Sequence, residues 1–322
     1  MGKLVLQRLG LGLLTLVLVS VLVFAGTEIL PGDAAAAILG QNATPESLAA
    51  LREQLGLDAG PAARYLSWAG GILGGDLGVS LTNRQPVADL LWPRFANTLA
   101  LAGYAAVIAL PLAVGLGIAT AAFRGSPFDR IANVLALATV SLPEYFLGLL
   151  LILLFSVEWG LLPSLADTWN DMGLGAWLKA TTLPMLVLVL VTVAQIMRMT
   201  RTAVLAIMDQ PYIEMAFLKG MKSRRVVLRH AAPNAAAPII NVVAFNLTYL
   251  IAGVVLVETI FNYNGLGRFM VDAVSKRDLP MVQAAALVFA AVYVMLNMVA
   301  DIGAIALNPR LRQPRVKEAQ DP

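Results

Sequence analysis

The 322 residues include no cysteine and a single histidine, His230. The first absence excludes disulfide scaffolds, thiolate zinc sites and cysteine nucleophiles. The second leaves no set of imidazoles for a metal centre and only one for a Ser-His-Asp triad. Charge is scarce as well. Asp, Glu, Lys and Arg together make up 13% of the chain, against roughly 25% in an ordinary soluble domain. The formal net charge is +3, and most lysines and arginines stand beside apolar blocks rather than in a basic tract, so no nucleic-acid partner is expected. No G-x-x-x-x-G-K-[ST] run occurs, so the chain shows no phosphate-binding loop of its own.

Apolar residues are abundant instead, at 59% of the chain, more than a compact soluble domain of this size can bury. Long uninterrupted apolar runs exclude a membrane β-barrel, whose strands alternate over about 10 residues, and point to helices of about 20 residues each. Six segments qualify: Leu9 to Leu30, Thr98 to Ala122, Ile131 to Val157, Leu178 to Met197, Pro238 to Val257, and Val282 to Leu307. The first follows Lys3 and Arg8 in the manner of a secretory signal, but its apolar stretch is nearer a full crossing than a signal core, so a retained helix is expected. The fold class expected is an all-α polytopic membrane protein with about six crossings.

With the N-terminus inside, the inner pieces hold Lys3, Arg8, Arg124, Arg130, Arg198, Arg201, Lys219, Lys222, Arg224, Arg225, Arg229, Arg310, Arg312, Arg315 and Lys317, which is 15 of the 23 basic residues. The positive-inside rule therefore places both termini in the cytoplasm. The expected layout is a first membrane helix over 1–30, an extracytoplasmic loop with short helices over 31–97, a five-helix core over 98–307 and a cytoplasmic tail over 308–322. Within the core, residues 200–237 form a long cytoplasmic segment. In and beside the crossings, Pro111, Pro143, Pro184 and Pro238 are expected to bend or start helices. Gly103, Gly115, Gly117 and Gly148 are expected to let helices approach. Trp159, Trp169 and Trp177 read as interfacial anchors.

The cytoplasmic segment carries the functional signal. Asp209 and Pro211 look like a helix start, with Asp209 as the cap. The helix runs through Glu214, Ala216, Phe217 and Lys219 to Gly220, which permits a left-handed turn. A second short helix covers Lys222 to Arg229, and Pro233 is expected to break the chain before the fifth crossing.

This pattern closely resembles the inner-membrane permeases of binding-protein-dependent ABC importers, in the dipeptide, oligopeptide and nickel branch. Their loop signature is Glu-Ala-Ala, three residues, Gly, nine residues and a stretch ending in Pro. Here Glu214, Ala216, Gly220 and Pro233 keep the spacing, while Met215 replaces an alanine, and Phe217 and Leu218 depart from the branch's usual Arg-Ala. The resemblance extends over nearly the whole chain: Gly56-Leu57-Asp58, Pro61, Tyr65, Trp68, Gly75-Asp76-Leu77-Gly78, Ser80, Arg94, Asn97-Thr98-Leu99, Gly253, Glu258, Phe261, Gly265-Leu266-Gly267, Asp278, Asn297, Asp301 and Pro309-Arg310. Asn264, Ile305 and Asn308 depart from it.

What the resemblance implies is a type I importer transmembrane domain that is not itself an enzyme. ATP and Mg2+ would be handled by two separate ATP-binding subunits, and this chain would hold no cofactor. Further partners would be a homologous second permease and an extracytoplasmic substrate-binding protein. Short peptides are the expected cargo, with nickel chelates, glutathione or another small solute as alternatives. Tyr212, Glu214, Ala216, Phe217, Lys219 and Gly220 would form the surface coupled to an ATPase. Glu144, Gln195, Asn241, Asn246 and Asn297 are polar residues of the crossings that line either the pathway or helix contacts, since a carboxylate facing lipid is expensive. Asp301 is a candidate partner for Arg310 or Arg198. A gradient-driven carrier is a competing class, but it would show intramembrane charge pairs and two similar halves.

Overall fold

A computed structural model describes residues 2–29, 36, 43–54, 58–167 and 173–307. Gly56, Leu57, Trp169, Asn308, Pro309, Arg310 and the rest of the 308–322 tail lie outside the described residues, as do the side chains of Asp301 and Ile305. The described chain is helical, in the order α1 (Gly2–Ile29), α2 (Pro45–Gln54), α3 (Pro61–Leu73), α4 (Val87–Ala122), α5 (Pro127–Ser141), α6 (Glu144–Leu151), α7 (Leu174–Met208), α8 (Pro211–Leu218), α9 (Ser223–Val226), α10 (Ala232–Asn234), α11 (Ala236–Ile260), α12 (Leu266–Ser275) and α13 (Leu279–Leu307). Residues Ile152–Glu158 continue α6, and Val227–Ala231 continue α9, as π-helical turns.

Among the described residues, α1, α4, α7, α11 and α13 are each long and apolar enough to cross a membrane. The third expected segment, Ile131 to Val157, is not one straight helix. It is the pair α5 and α6, bent by 105°. The cause is local. Pro143 has no amide to donate and disfavours helical geometry at the residue before it, and Leu142 accordingly sits at φ −93, ψ 135.

The centre of the bundle is the contact of α4 with α7. Thr98, Ala102, Ala105, Ala109, Ala113, Gly117 and Thr120 are buried at three- and four-residue intervals along α4, a stripe of small residues that lets two backbones approach. Gly117 is at the tightest point, because a Cβ there would lie 2.8 Å from the Met197 carbonyl oxygen. Gly148 likewise faces Ile260 and Phe261 at contact distance, whereas Gly103 and Gly115 face open space and make no such approach. Helices α5 and α11 flank α7, α13 packs on α11, and α1 lies outermost against α13. Most of α1 is unburied by protein, the pattern of a helix whose neighbours are lipid.

Two further expectations are corrected. Asp209 does not cap α8. It ends α7, with its amide donating to the Leu205 carbonyl at 3.2 Å, and α8 begins at Pro211 after an extended Gln210 with no side-chain cap. Nor does Pro233 break the chain: it falls in the first turn of α10, where a missing amide costs nothing, and helical geometry runs from Ser223 to Asn234.

Candidate functional site

At the end of the bundle where α4 and α7 finish, residues 209–235 fold into a protruding knob. Ile213 is its keystone. It is fully buried among Ala121, Val204, Val226, Val227, Ala231 and Ala235, so α8 is seated on the ends of α4 and α7 and on the segment that leads into α11. Ala216 packs, half-buried, against the same cluster. The opposite side of α8 is bare: Tyr212, Met215, Phe217 and Leu218 are 49%, 54%, 39% and 73% exposed. Glu214 and Lys219 are exposed beside them. Gly220 closes the helix at φ +78 with nothing within 4 Å of where a Cβ would stand. The glycine is therefore there for its left-handed backbone, and not for lack of space inside the chain.

A charged clasp sits just inside the same end. Arg201 of α7 donates Nε and Nη2 to Asp129 of α5 at 2.7 and 2.9 Å, while Asn133 Nδ2 and the Gly125 amide donate to the same carboxylate at 2.7 and 2.9 Å. Ser126 caps α5 by accepting from the Asp129 amide. Neither Asp129 nor this pairing was among the expected site residues; the sequence signal was an Asp in a capped first turn facing a basic helix end.

Midway along the bundle, beside the bend that precedes α6, Glu144 lines a cavity of about 20 Å³ with Thr192, Gln195, Asn246, Tyr249 and Gly253. Its Oε2 is buried and accepts no hydrogen bond. Gln195 and Asn246 also line a wider cavity of about 640 Å³ on the side toward the knob, with Asn133, Arg198, Arg201 and Phe245. The structure thus brings together three of the five polar residues singled out in the crossings. Asn241 is exposed and lines neither cavity. Asn297 donates to the Tyr293 carbonyl of its own helix at 2.9 Å.

The far end of the bundle is locked by two buried carboxylates whose roles only the structure reveals. Glu258, fully buried near the end of α11, accepts from Thr98 Oγ1 of α4 at 2.5 Å and from the Arg268 amide at 3.0 Å. Thr98 in turn accepts from the Leu266 amide at 2.8 Å. A Cβ on Gly267 would lie 2.7 Å from Val255 Cα, so the Gly265-Leu266-Gly267 turn is glycine-rich because it folds back onto α11. Tyr263, buried in the same turn, donates to the Asn97 carbonyl at 2.8 Å, and burial pushes its phenol well above the ordinary range. Asp278 accepts from Ser80 Oγ and from the Leu81 and Thr82 amides at 3.0 and 3.3 Å. That contact pins the small hairpin closed by Val79 and Pro86 to the start of α13.

Residues 113–313 match the family model described as binding-protein-dependent transport system inner membrane component, and residues 1–102 match the N-terminal model of the same transport systems. The chain is 35% identical over 341 residues to the dipeptide transport system permease protein DppB of Escherichia coli (strain K12), covering 98% of this chain and all of that one. It is 36% identical over 310 residues to the glutathione transport system permease protein GsiC of Salmonella typhimurium (strain LT2), covering 96% and 98% of the two. Among solved structures, an inward-facing MetNI methionine ABC transporter aligns at TM-score 0.48 and 18% identity, over 69% of this chain and 96% of that chain.

Proposed function

The chain belongs to the binding-protein-dependent transport system inner membrane components, and from that premise we propose that it forms one half of a pathway for short peptides, driven by ATPases docked on the 209–235 knob. It is an ABC importer permease subunit and a multi-pass protein of the cytoplasmic membrane. Both termini and the knob face the cytoplasm in this reading, as the distribution of basic residues favours. The partners are a second, homologous permease, two ATP-binding subunits that hold ATP and Mg2+, and an extracytoplasmic binding protein that delivers the cargo.

One observation carries the reading. Four large apolar side chains stand exposed on an eight-residue helix that projects from the bundle, while Ile213 beneath them is locked to the ends of two crossings. Such a crown is costly in water and is explained by a partner that covers it. Tyr212, Glu214, Phe217, Lys219 and Gly220 belong to that covered surface. Ala216 faces the chain's own core and contributes by letting α8 sit close. A push on the crown is transmitted through Ile213 to α4, α7 and the approach to α11, and α7 and α11 line both cavities.

Co-purification tests this. The importer assembled with its ATPases retains them through detergent extraction, and Phe217→Asp or Leu218→Asp releases them while leaving the permease inserted. Retention undiminished by both substitutions contradicts the docking surface. Cargo is tested by uptake of Ala-Ala into proteoliposomes containing the whole importer. Glutathione, itself a short peptide, is the second reading on the strength of the Salmonella relative; competition between the two solutes separates them.

A further inference from the structure

The polar pocket at Glu144 contains an unmet demand. A carboxylate oxygen is buried there without a donor, at a depth where an uncompensated charge is expensive. Room has been left beside it: a Cβ on Gly253 would come within 3.0 Å of that oxygen. The cavity of about 20 Å³ admits one water-sized group, and a primary ammonium is of that size. The remaining lining offers Gln195, Asn246 and Thr192, neutral groups that can hydrogen-bond but supply no charge.

The wider cavity adjoins this pocket across Gln195 and Asn246 and carries the opposite sign. Of its two arginines, Arg201 is committed to Asp129, whereas no carboxylate among the described residues lies within ion-pair distance of Arg198. Arg198 follows Gln195 by three residues, about 4.5 Å along α7, and two residues of extended peptide span at most about 7 Å.

Building on the short-peptide reading above, we infer that the Glu144 pocket seats the terminal ammonium of a zwitterionic peptide in transit, while Arg198 takes its terminal carboxylate in the wider cavity. The permease wall is then selective in its own right for solutes that carry both charges, with the amine held deeper in the bundle than the acid. Glu144 donates nothing and forms no covalent bond; it exchanges a pocket water for a charged donor, and the exchange is reversed when the bundle moves.

The chain's lack of cysteine makes a direct test available. Tyr249 lines the pocket and is exposed at its mouth, so Tyr249→Cys in the complete reconstituted importer places one reporter thiol on this chain. A cationic and an anionic methanethiosulfonate reagent are compared, with labelling located by mass spectrometry. The expected result is a cationic preference of about tenfold over the free-thiol ratio, as befits one charge-assisted contact. Glu144→Gln abolishes that preference. Ala-Ala slows the labelling and N-acetyl-Ala-Ala does so much less. In uptake assays with the binding protein saturated, Glu144→Gln and Arg198→Gln each lower the rate for Ala-Ala by about tenfold.

A preference that survives Glu144→Gln, or equal protection by both peptides, overturns the inference and identifies the pocket as a water site only. Failure of the wild-type importer to take up either Ala-Ala or glutathione overturns the peptide reading, and this inference with it. The two failures are therefore distinguishable.

Discussion

Gly117 on α4 and Thr200 on α7 stand so close that a Cβ built on the glycine would lie 2.6 Å from the threonine Cβ. The two helices that carry the central contact of the bundle meet at this point, one residue from Arg201 of the clasp and below the knob. In the proposed coupling, motion passed up from Ile213 would enter the crossings near this junction, whose packing leaves no slack.

Gly117→Val is therefore expected to cost about 3 kcal/mol through overpacking, read as a lowered Tm of the detergent-solubilised protein and reduced abundance. Gly103→Ala and Gly115→Ala, whose added methyl groups meet nothing within 4 Å, are expected to leave Tm unchanged or raise it slightly. A Tm for Gly117→Val equal to that of the other two contradicts the close contact.

Gly220 separates fold from coupling. Its Cβ position is empty of neighbours, but its φ is +78, so Gly220→Ala costs about 1 to 2 kcal/mol of backbone strain and a larger side chain little more. Gly220→Trp is expected to insert normally, yet to hydrolyse ATP in the assembled importer without proportionate uptake. Normal uptake per ATP in that variant contradicts the placement of the glycine on the docking surface.

The clasp between Asp129 and Arg201 is expected to be structural. Asp129 is nearly enclosed, whereas Arg201 is partly exposed, so removing the arginine leaves the carboxylate enclosed without its counter-charge. Arg201→Leu is expected to destabilise by about 3 kcal/mol, while Asp129→Asn combined with Arg201→Leu loses less than the sum of the two single changes. Strict additivity in thermal unfolding contradicts a direct interaction.

Glu258 holds the far end together through both carboxylate oxygens. A glutamine there offers one acceptor and must turn a donor toward either the Thr98 hydroxyl or the Arg268 amide. Glu258→Gln is expected to lose about 1 to 3 kcal/mol, and Glu258→Ala more, because it leaves both donors unmatched. Hydrogen exchange at the Leu266 and Arg268 amides reads the effect: both speed up in the alanine variant, and unchanged protection contradicts the lock.

The spans were legible because hydropathy is a property of composition along a window, and lipid leaves helices few alternatives. Direction was not. The break between α5 and α6 lies in an apolar run, so the window over Ile131 to Val157 scores alike whether Pro143 kinks a helix or turns the chain by 105°. Gly103, Gly115 and Gly117 share one helix and one composition, and only the position of α7 tells which of them is crowded. Asp209 and Pro233 illustrate the limit of local rules, because the sequence does not mark that α7 runs on to Met208 or that a helix starts just ahead of Pro233. The knob's spacing was readable from Glu214, Gly220 and Pro233, since a turn fixes short distances along the chain. The partners of Glu258 were not, because Thr98 is 160 residues away and nothing local records that separation.

The account rests on the crown of α8 facing a cytoplasmic ATPase, and disulfide trapping tests it most directly. With Phe217→Cys as this chain's one thiol and a single cysteine on the ATPase surface, oxidation of the assembled importer in native membranes is expected to yield a covalent pair whose amount changes when ATP is bound. A Phe217→Cys thiol that instead reacts with a membrane-impermeant reagent added outside intact cells, and never joins the ATPase, contradicts the account.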